Sequence, residues 1–285
     1  MSILTAIFQA ILQAIAWVLP ISESGHSAIF HDFSARFTNA CSQLTGIIHI
    51  GIAVGIIIAM YKLFIQLFKN FIGCWSDLFH KQPDLKGKTG QRKFMYMTLI
   101  SFAPMLFYLI PAGKYGNVYG VFNRMSYNGN LIGEGICIAL TGVLIITAFS
   151  FVDKKLKPIP MPLQAIVIGI AAFLAIPTAG CSLIGAILCI GILVGLSDKY
   201  ALRYAMVMSV MVLTVKGIIE ICVGVTTVSV IQIILALVFS IAISFFAVKI
   251  LIFLIKNRHL NLVAIYDIAI GLICFVIGVF EIVVK

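Results

Sequence analysis

Within five residues, Ser22, Glu23, Ser24, Gly25 and His26 bring together two hydroxyls, a carboxylate, a glycine and an imidazole, directly after an apolar run closed by Pro20. Free backbone N–H groups at a half-helix end, flanked by hydroxyls, suit a phosphate or another anion. Glu23 or His26 can serve there as general base, nucleophile or proton donor once a substrate presents an electrophile. The bland account is a polar interfacial loop with His26 solvated. A second polar break in the other half of the chain favours the functional account. That break, Ala179-Gly180-Cys181-Ser182-Leu183-Ile184-Gly185, holds two glycines and one hydroxyl but no charge. Gly180 and Gly185 either admit a ligand close to the backbone or serve tight helix packing, and packing is the reading for Gly51/Gly55 and Gly191/Gly195. Lys216 and Glu220 lie four apart in an apolar run, on one helix face, where a charge costs at least ~2.5 kcal/mol. They read as a mutual pair, with Lys216 also able to present a cation to a bound phosphate. His49, Glu134 and Glu281 read as interior or interfacial residues.

The elements that carry these groups must be membrane helices. Of 285 residues, 62% are hydrophobic and 11% charged, and the mean hydropathy is +1.14. That is more apolar surface than one water-soluble core can bury. The balance excludes soluble α/β enzymes, disordered chains and nucleic-acid binders, even with 20 Lys and Arg against 10 Asp and Glu. The cysteines stand mostly singly in apolar runs without metal-ligand spacing, so they read as small core residues. The N-terminal stretch lacks a basic leader and a cleavage site, and is expected to stay in the mature protein.

About 20 mostly apolar residues cross a hydrocarbon core. Six stretches qualify: 44–61, 94–113, 131–152, 203–224, 229–255 and 262–284. Residues 2–21 and 163–196 are instead interrupted by the two polar breaks. Each therefore reads as a re-entrant, broken hairpin lining a cavity, since irregular backbone at that depth needs protein or water around it. Basic residues gather in the loop after the first span (Lys62, Lys69, Lys81, Lys86, Lys88, Arg92, Lys93) and in the one after the third (Lys154, Lys155, Lys157). These loops mark the cytoplasmic side. Lys199, Arg203, Lys256 and Arg258 then fall on the same side, while Arg36, Lys114, Arg124 and Lys285 fall opposite.

Each half then contains one hairpin and three spans, an odd number of crossings, so the second half enters the bilayer upside down. The expected fold is an all-α integral membrane protein with an inverted-topology repeat. It forms one domain over 1–285, with halves 1–152 and 153–285 and both termini extracytoplasmic. The hairpins meet near the midplane and enclose a wet cleft around His26 and Ser182.

The run Leu19-Pro20-Ile21-Ser22-Glu23-Ser24-Gly25-His26, preceded by Gln13-Ala14-Ile15-Ala16-Trp17, resembles the first signature, EGxTEFLPVSSTGH, of the bacitracin-resistance undecaprenyl-diphosphate phosphatase family. Ala179-Gly180-Cys181-Ser182-Leu183-Ile184-Gly185-Ala186, followed by Gly191-Ile192-Leu193-Val194-Gly195-Leu196-Ser197, resembles the second, PGxSRSGAT with GLLLGLSR. Gln164 to Gly169, Ala201 to Ala205 and Ala264 to Tyr266 extend the resemblance over nearly the whole chain. The departures fall on the chemistry. Gln13 and Trp17 stand where the family has two glutamates, Glu23 where it has its proposed serine nucleophile, Leu183 where it has a phosphate-clamping arginine, and Ile184 where it has a serine. Ser22, Gly25, His26, Gly180, Ser182 and Gly185 remain.

The resemblance implies removal of the terminal phosphate of undecaprenyl diphosphate at the outer face of the plasma membrane, with Mg²⁺ or Ca²⁺. Loss of both glutamates argues against the metal, since glutamine is neutral. Leucine offers nothing in place of a guanidinium fork. The leading reading is a family member with impaired hydrolysis that binds a polyprenyl phosphate or diphosphate lipid in the bilayer, and that could carry the head group across. Its substrate-binding candidates are Gln13, Ser22, Ser24, Gly25, Gly180, Ser182, Gly185 and Lys216. The alternative is an active phosphatase with a rearranged site, in which Glu23 and His26 are catalytic and Lys216 is the substitute cation. A third reading is a small-molecule or ion transporter with Lys216 and Glu220 as its coupling pair.

Overall fold

The computed structural model describes residues 2–33, 42–79, 90–113, 116–121, 131–151, 161–223 and 228–284. Of the basic residues that set the expected sidedness, Arg36, Lys81, Lys86, Lys88, Lys114, Arg124, Lys154, Lys155, Lys157 and Lys285 lie outside these stretches. Among the described residues every named element is helical.

The first hairpin is α1 (Ile3–Val18) and α2 (Glu23–Phe33). Ser2 caps α1 by accepting the Thr5 N–H at 3.1 Å. Leu19, the residue before Pro20, turns extended (φ −71°, ψ 140°) and ends the helix, as proline demands of its predecessor. The second hairpin is α7 (Pro162–Ala175) and α8 (Leu183–Leu193). Pro162 starts α7 at a position needing no N–H. The base of this hairpin is tied by Gln164, whose amide donates to the Val194 carbonyl.

Between the hairpins come α3 (Ser42–Ala59), α4 (Tyr61–Phe79), α5 (Gly90–Phe102) with a 3₁₀ segment over Ala103–Leu109, and α6 (Leu131–Ser150). After the second follow α9 (Asp198–Val223), α10 (Val230–Lys256) and α11 (Asn261–Val284). Helices α6, α9, α10 and α11 are each long and apolar enough to cross a bilayer. Leu140, Val143, Val238, Phe246, Ile273 and Val276 stay exposed on them, the apolar girdle that lipid solvates.

One of the six expected spans and one expected loop take a different form. The stretch 94–113 is not continuous: Pro104 has no N–H to give, so the α-ladder stops at Phe102 and the tighter 3₁₀ turn carries on. At about 1.5 and 2.0 Å per residue the two parts still reach roughly 33 Å. The lysine-rich loop expected from residue 62 begins instead as α4, bent by 94° from α3. Its exposed Tyr61, Ile65, Phe68 and Ile72 recur at helical spacing with Lys62 and Lys69 between them, the pattern of a helix lying along an interface. Lys249 donates to the Ala59 carbonyl at 3.1 Å and satisfies the freed backbone at the bend.

The halves interleave. Helix α1 packs on α10 and, correspondingly, α7 packs on α5; α3 and α9 meet at the centre, and α6 lies along α11. Small residues set these approaches: a Cβ on Gly51 or Gly55 would come within 1.9 Å of the Ser240 or Ser244 hydroxyl, as the Gly51/Gly55 packing reading requires. Gly191/Gly195 is not such a stripe. Gly195 has φ +99° and lies just past the end of α8, where only glycine is at ease.

Candidate functional site

At the first tip the chain passes through Ser22 at φ +63°, a conformation that costs a non-glycine residue on the order of 1 kcal/mol. Local hydrogen bonds hold it there. The Ser22 hydroxyl accepts the Gly25 N–H at 3.2 Å, and its carbonyl accepts His26 Nδ1–H at 2.8 Å. With Nδ1 donating, Nε2 of the neutral ring is left to accept the Tyr266 hydroxyl at 2.8 Å. The His26 and Tyr266 rings lie 13° from parallel with centroids 5.7 Å apart.

The second tip repeats the backbone device. The Ser182 hydroxyl accepts the Gly185 N–H at 3.1 Å, and Gly180 supplies the turn at φ +88°. The tips touch. The Gly180 N–H donates to the Ser24 hydroxyl at 3.1 Å, and a Cβ on Gly25 would lie 3.2 Å from the Gly180 Cα. Gly180 also packs on α6, where a Cβ would fall 2.4 Å from the Glu134 carbonyl. The opposed N-termini of α2 and α8 thereby converge, two partial positive ends at one place. The expected wet cleft around His26 and Ser182 is absent at these two residues. His26 and Ser182 are 5% and 3% exposed, with His26 Nδ1 and the Ser182 hydroxyl bonded to their own local backbone.

Charge collects beside the first tip. Lys216 Nζ of α9 lies 3.6 Å from Glu23 Oε2 and 3.8 Å from Glu220 Oε1. It is also 3.5 Å from His49 Nε2 of α3 and 5.1 Å above the Trp17 ring. His49 donates Nδ1–H to Glu220 at 2.6 Å, which turns Nε2 toward the ammonium. Trp17 is fixed by its indole N–H on the Ser209 hydroxyl at 2.6 Å. Lys216 thus pairs with Glu220, as its spacing indicated, and also with the hairpin tip, which spacing alone did not show. The Lys216 contacts to Glu23, Glu220 and His49 are long for charge-assisted hydrogen bonds, and the ammonium also bonds to the Tyr119 phenol.

Lys216 also stands at the edge of a narrow pocket of about 50 Å³, lined by the 3₁₀ segment and α9. Its walls include Phe102, Met105, Tyr108, Ile176 and Val212, and the Tyr119 phenol faces Lys216. Among these lining residues Lys216 is the one charged group. The arrangement is a cation at the end of an apolar slot.

Gln13 is 4% exposed and lies one turn below Trp17 on α1. Its Oε1 has no hydrogen-bond partner among the described residues. Leu183 and Ile184 are buried in the apolar core, 8% and 0% exposed. No donor replaces the family arginine and serine there.

A divalent cation does not fit this donor set. Among the described residues no three His, Cys, Asp or Glu side chains converge, and the place between Glu23 and Glu220 is filled by the Lys216 ammonium.

His49, Tyr119 and Tyr266 are site residues that spacing did not reveal, because each reaches the site from a separate helix or loop. Asp267, next to Tyr266, is a buried acid of α11. An acid inside the apolar run Ala264-Ile265-Tyr266-Asp267-Ile268-Ala269 was its visible signal.

Fold and site together define an all-helical, multi-pass membrane protein whose two broken hairpins meet tip to tip beside a half-buried lysine. The chain belongs to the family described as bacitracin resistance protein BacA, whose sequence model matches residues 6–273. Among curated proteins it is similar to the undecaprenyl-diphosphatase of Methanosphaera stadtmanae, 26% identical with 98% of this chain and 99% of that protein covered. The undecaprenyl-diphosphatase of Halothermothrix orenii is 24% identical, covering 98% and 96%. That of Methanococcus vannielii is 28% identical, covering 75% and 77%.

Proposed function

We propose that this protein binds a polyprenyl phosphate or diphosphate, with the head group at the hairpin tips and Lys216 and the start of the chain in the apolar slot. The observation that carries this reading is the position of Lys216, which is shared with the Glu23 carboxylate and forms the one charged edge of a slot otherwise lined by apolar and aromatic groups. An anionic head on an apolar tail matches that polarity. Ser22, Ser24, Gly25, Gly180, Ser182 and Gly185 form the two helix N-termini that face the head group, and Gln13 lies one helical turn from Trp17 on α1. The protein sits in the cell membrane with both termini outside, as the basic loops favour. The opposed hairpins, one per half, give a route for moving the head group between leaflets.

Hydrolysis by the family route is reduced. Each lost transition-state donor costs ~10²–10³ in rate, and neither Leu183 nor Ile184 offers one. The second reading, an active phosphatase with a rearranged site, is favoured by Glu23 and His26 lying three residues apart on the first turn of α2. In that reading Glu23 is the base and His26 the nucleophile or acid, and His26 must first give up its Tyr266 contact.

Purified protein in nanodiscs, titrated with undecaprenyl phosphate, tests binding. Lys216→Met is expected to weaken it at least about tenfold, roughly 1.4 kcal/mol, with Lys216→Arg retaining most of it. Equal affinity in Lys216→Met overturns the reading. Phosphate release from undecaprenyl diphosphate, with and without divalent cation, decides between binder and enzyme. Release lost in both Glu23→Gln and His26→Ala would establish the second reading.

A further inference from the structure

Asp267 of α11 is fully buried, and neither carboxyl oxygen has a hydrogen-bond partner among the described residues. It lies within the apolar span α11 and packs on the middle of α6: a Cβ on Gly142, the twelfth of twenty residues in α6, would come 3.1 Å from the Asp267 Cβ. An ionised carboxylate held there without a partner costs several kcal/mol. The group is stable in that place only with its charge cancelled, and among the described residues no salt bridge supplies a cation to do so.

The titratable groups that face it are few. Cys189 approaches from α8, Tyr266 adjoins it on α11, and His26 of α2 stands beyond Tyr266. Cys137 and Glu134 lie further along α6. None is a lysine or arginine, so a proton is the ligand that fits.

We propose that Asp267 is a proton-binding site in the bilayer interior, which exchanges its proton with solvent as the protein works. The step is a plain acid–base equilibrium: the carboxyl O–H breaks, the proton leaves to water, and one negative charge stays on Asp267. Tyr266 passes the change on. The negative charge left on Asp267 then lies beside Tyr266, whose hydroxyl donates to His26 Nε2. Proton loss at Asp267 thus puts a charge next to the residue that contacts the first hairpin tip. This inference holds whether or not the ligand at the tips is a lipid phosphate.

The test is infrared difference spectroscopy of the full chain in nanodiscs across pH, with wild type and Asp267→Asn. Asparagine is the neutral isostere of the protonated acid, so D267N keeps the packing and removes the exchangeable proton; a purely structural role leaves a wild-type band that does not titrate. The expected result is a protonated-carboxyl C=O band that shifts in D₂O, disappears as pH rises through a single-proton transition, and is missing in D267N. Wild type isotopically labelled at aspartate carboxyls assigns the band even if D267N fails to fold. A labelled band that never titrates between roughly pH 5 and pH 10, a band kept in D267N, or loss of the band on adding sodium at constant pH would each overturn the proposal. Where undecaprenyl phosphate binds, its affinity is expected to change by up to about tenfold per pH unit in wild type, and D267N flattens that dependence. Absence of lipid binding at any pH counts against the lipid reading alone, because the band reports Asp267 directly.

Discussion

The two hairpin tips share a backbone and differ in chemistry. Each places a serine at the helix N-cap and bonds its hydroxyl to the glycine amide three residues on, Ser22 to Gly25 and Ser182 to Gly185. The next two positions then part company. The first tip has Glu23 and Ser24, one on the Lys216 ammonium and one on the Gly180 amide, where the second has Leu183 and Ile184 sunk in the core. The cap holds the turn whatever follows it, so a repeated fold can keep its geometry in both halves while one half gives up its polar side chains. The site that results is one-sided: the first hairpin brings the charge, and the second brings backbone and packing.

The sharpest way to break that asymmetry is at Lys216. Lys216→Met leaves Glu23 and Glu220 without their shared counter-ion, and thermal unfolding in detergent should show a loss of ~3–5 kcal/mol. Glu23→Gln combined with Lys216→Met should recover part of it. Next come the paired glycines at the contact. Gly180→Ala drives a methyl into the Glu134 backbone from a left-handed conformation, and about 2–4 kcal/mol of stability should go with it. Gly25→Ala meets the end of the Ile138 side chain at 2.7 Å, which can swing aside. It should cost roughly 1–2 kcal/mol less than Gly180→Ala in the same assay. The smallest effects belong to the caps. Ser22→Ala and Ser182→Ala should each cost ~1 kcal/mol, and a clear difference between the two would show that the tips are not equivalent in their backbone device. Ser22→Ala should leave the His26 contact to the Ser22 carbonyl in place, so the chemical shift of the His26 ring should move little.

Much of the fold was visible in the residues. The polar breaks at Ser22 and Ser182, the long apolar runs of α6, α9, α10 and α11, and the proline-stopped ends of α1 and α5 all follow from local rules. The helix α4 was hidden because its lysines suggested a loop. The recurrence of Tyr61, Ile65, Phe68 and Ile72 was the available clue. The site was only half legible. The Lys216–Glu220 spacing is a property of one helix, but the Glu23 contact joins residues far apart in the chain, and no periodicity encodes that. Burial was equally hidden: the sequence shows an acid at 267 and a glutamine at 13, but only packing shows that their oxygens are left without partners.

The ammonium wedged between two glutamates has one further consequence. Because that positive centre is part of the polypeptide, it cannot be stripped by a chelator or displaced by a competing ion. Attraction for an anionic guest at this spot should therefore read the same in EDTA as in millimolar calcium, making its polarity a fixed trait of the chain rather than a loan from the medium.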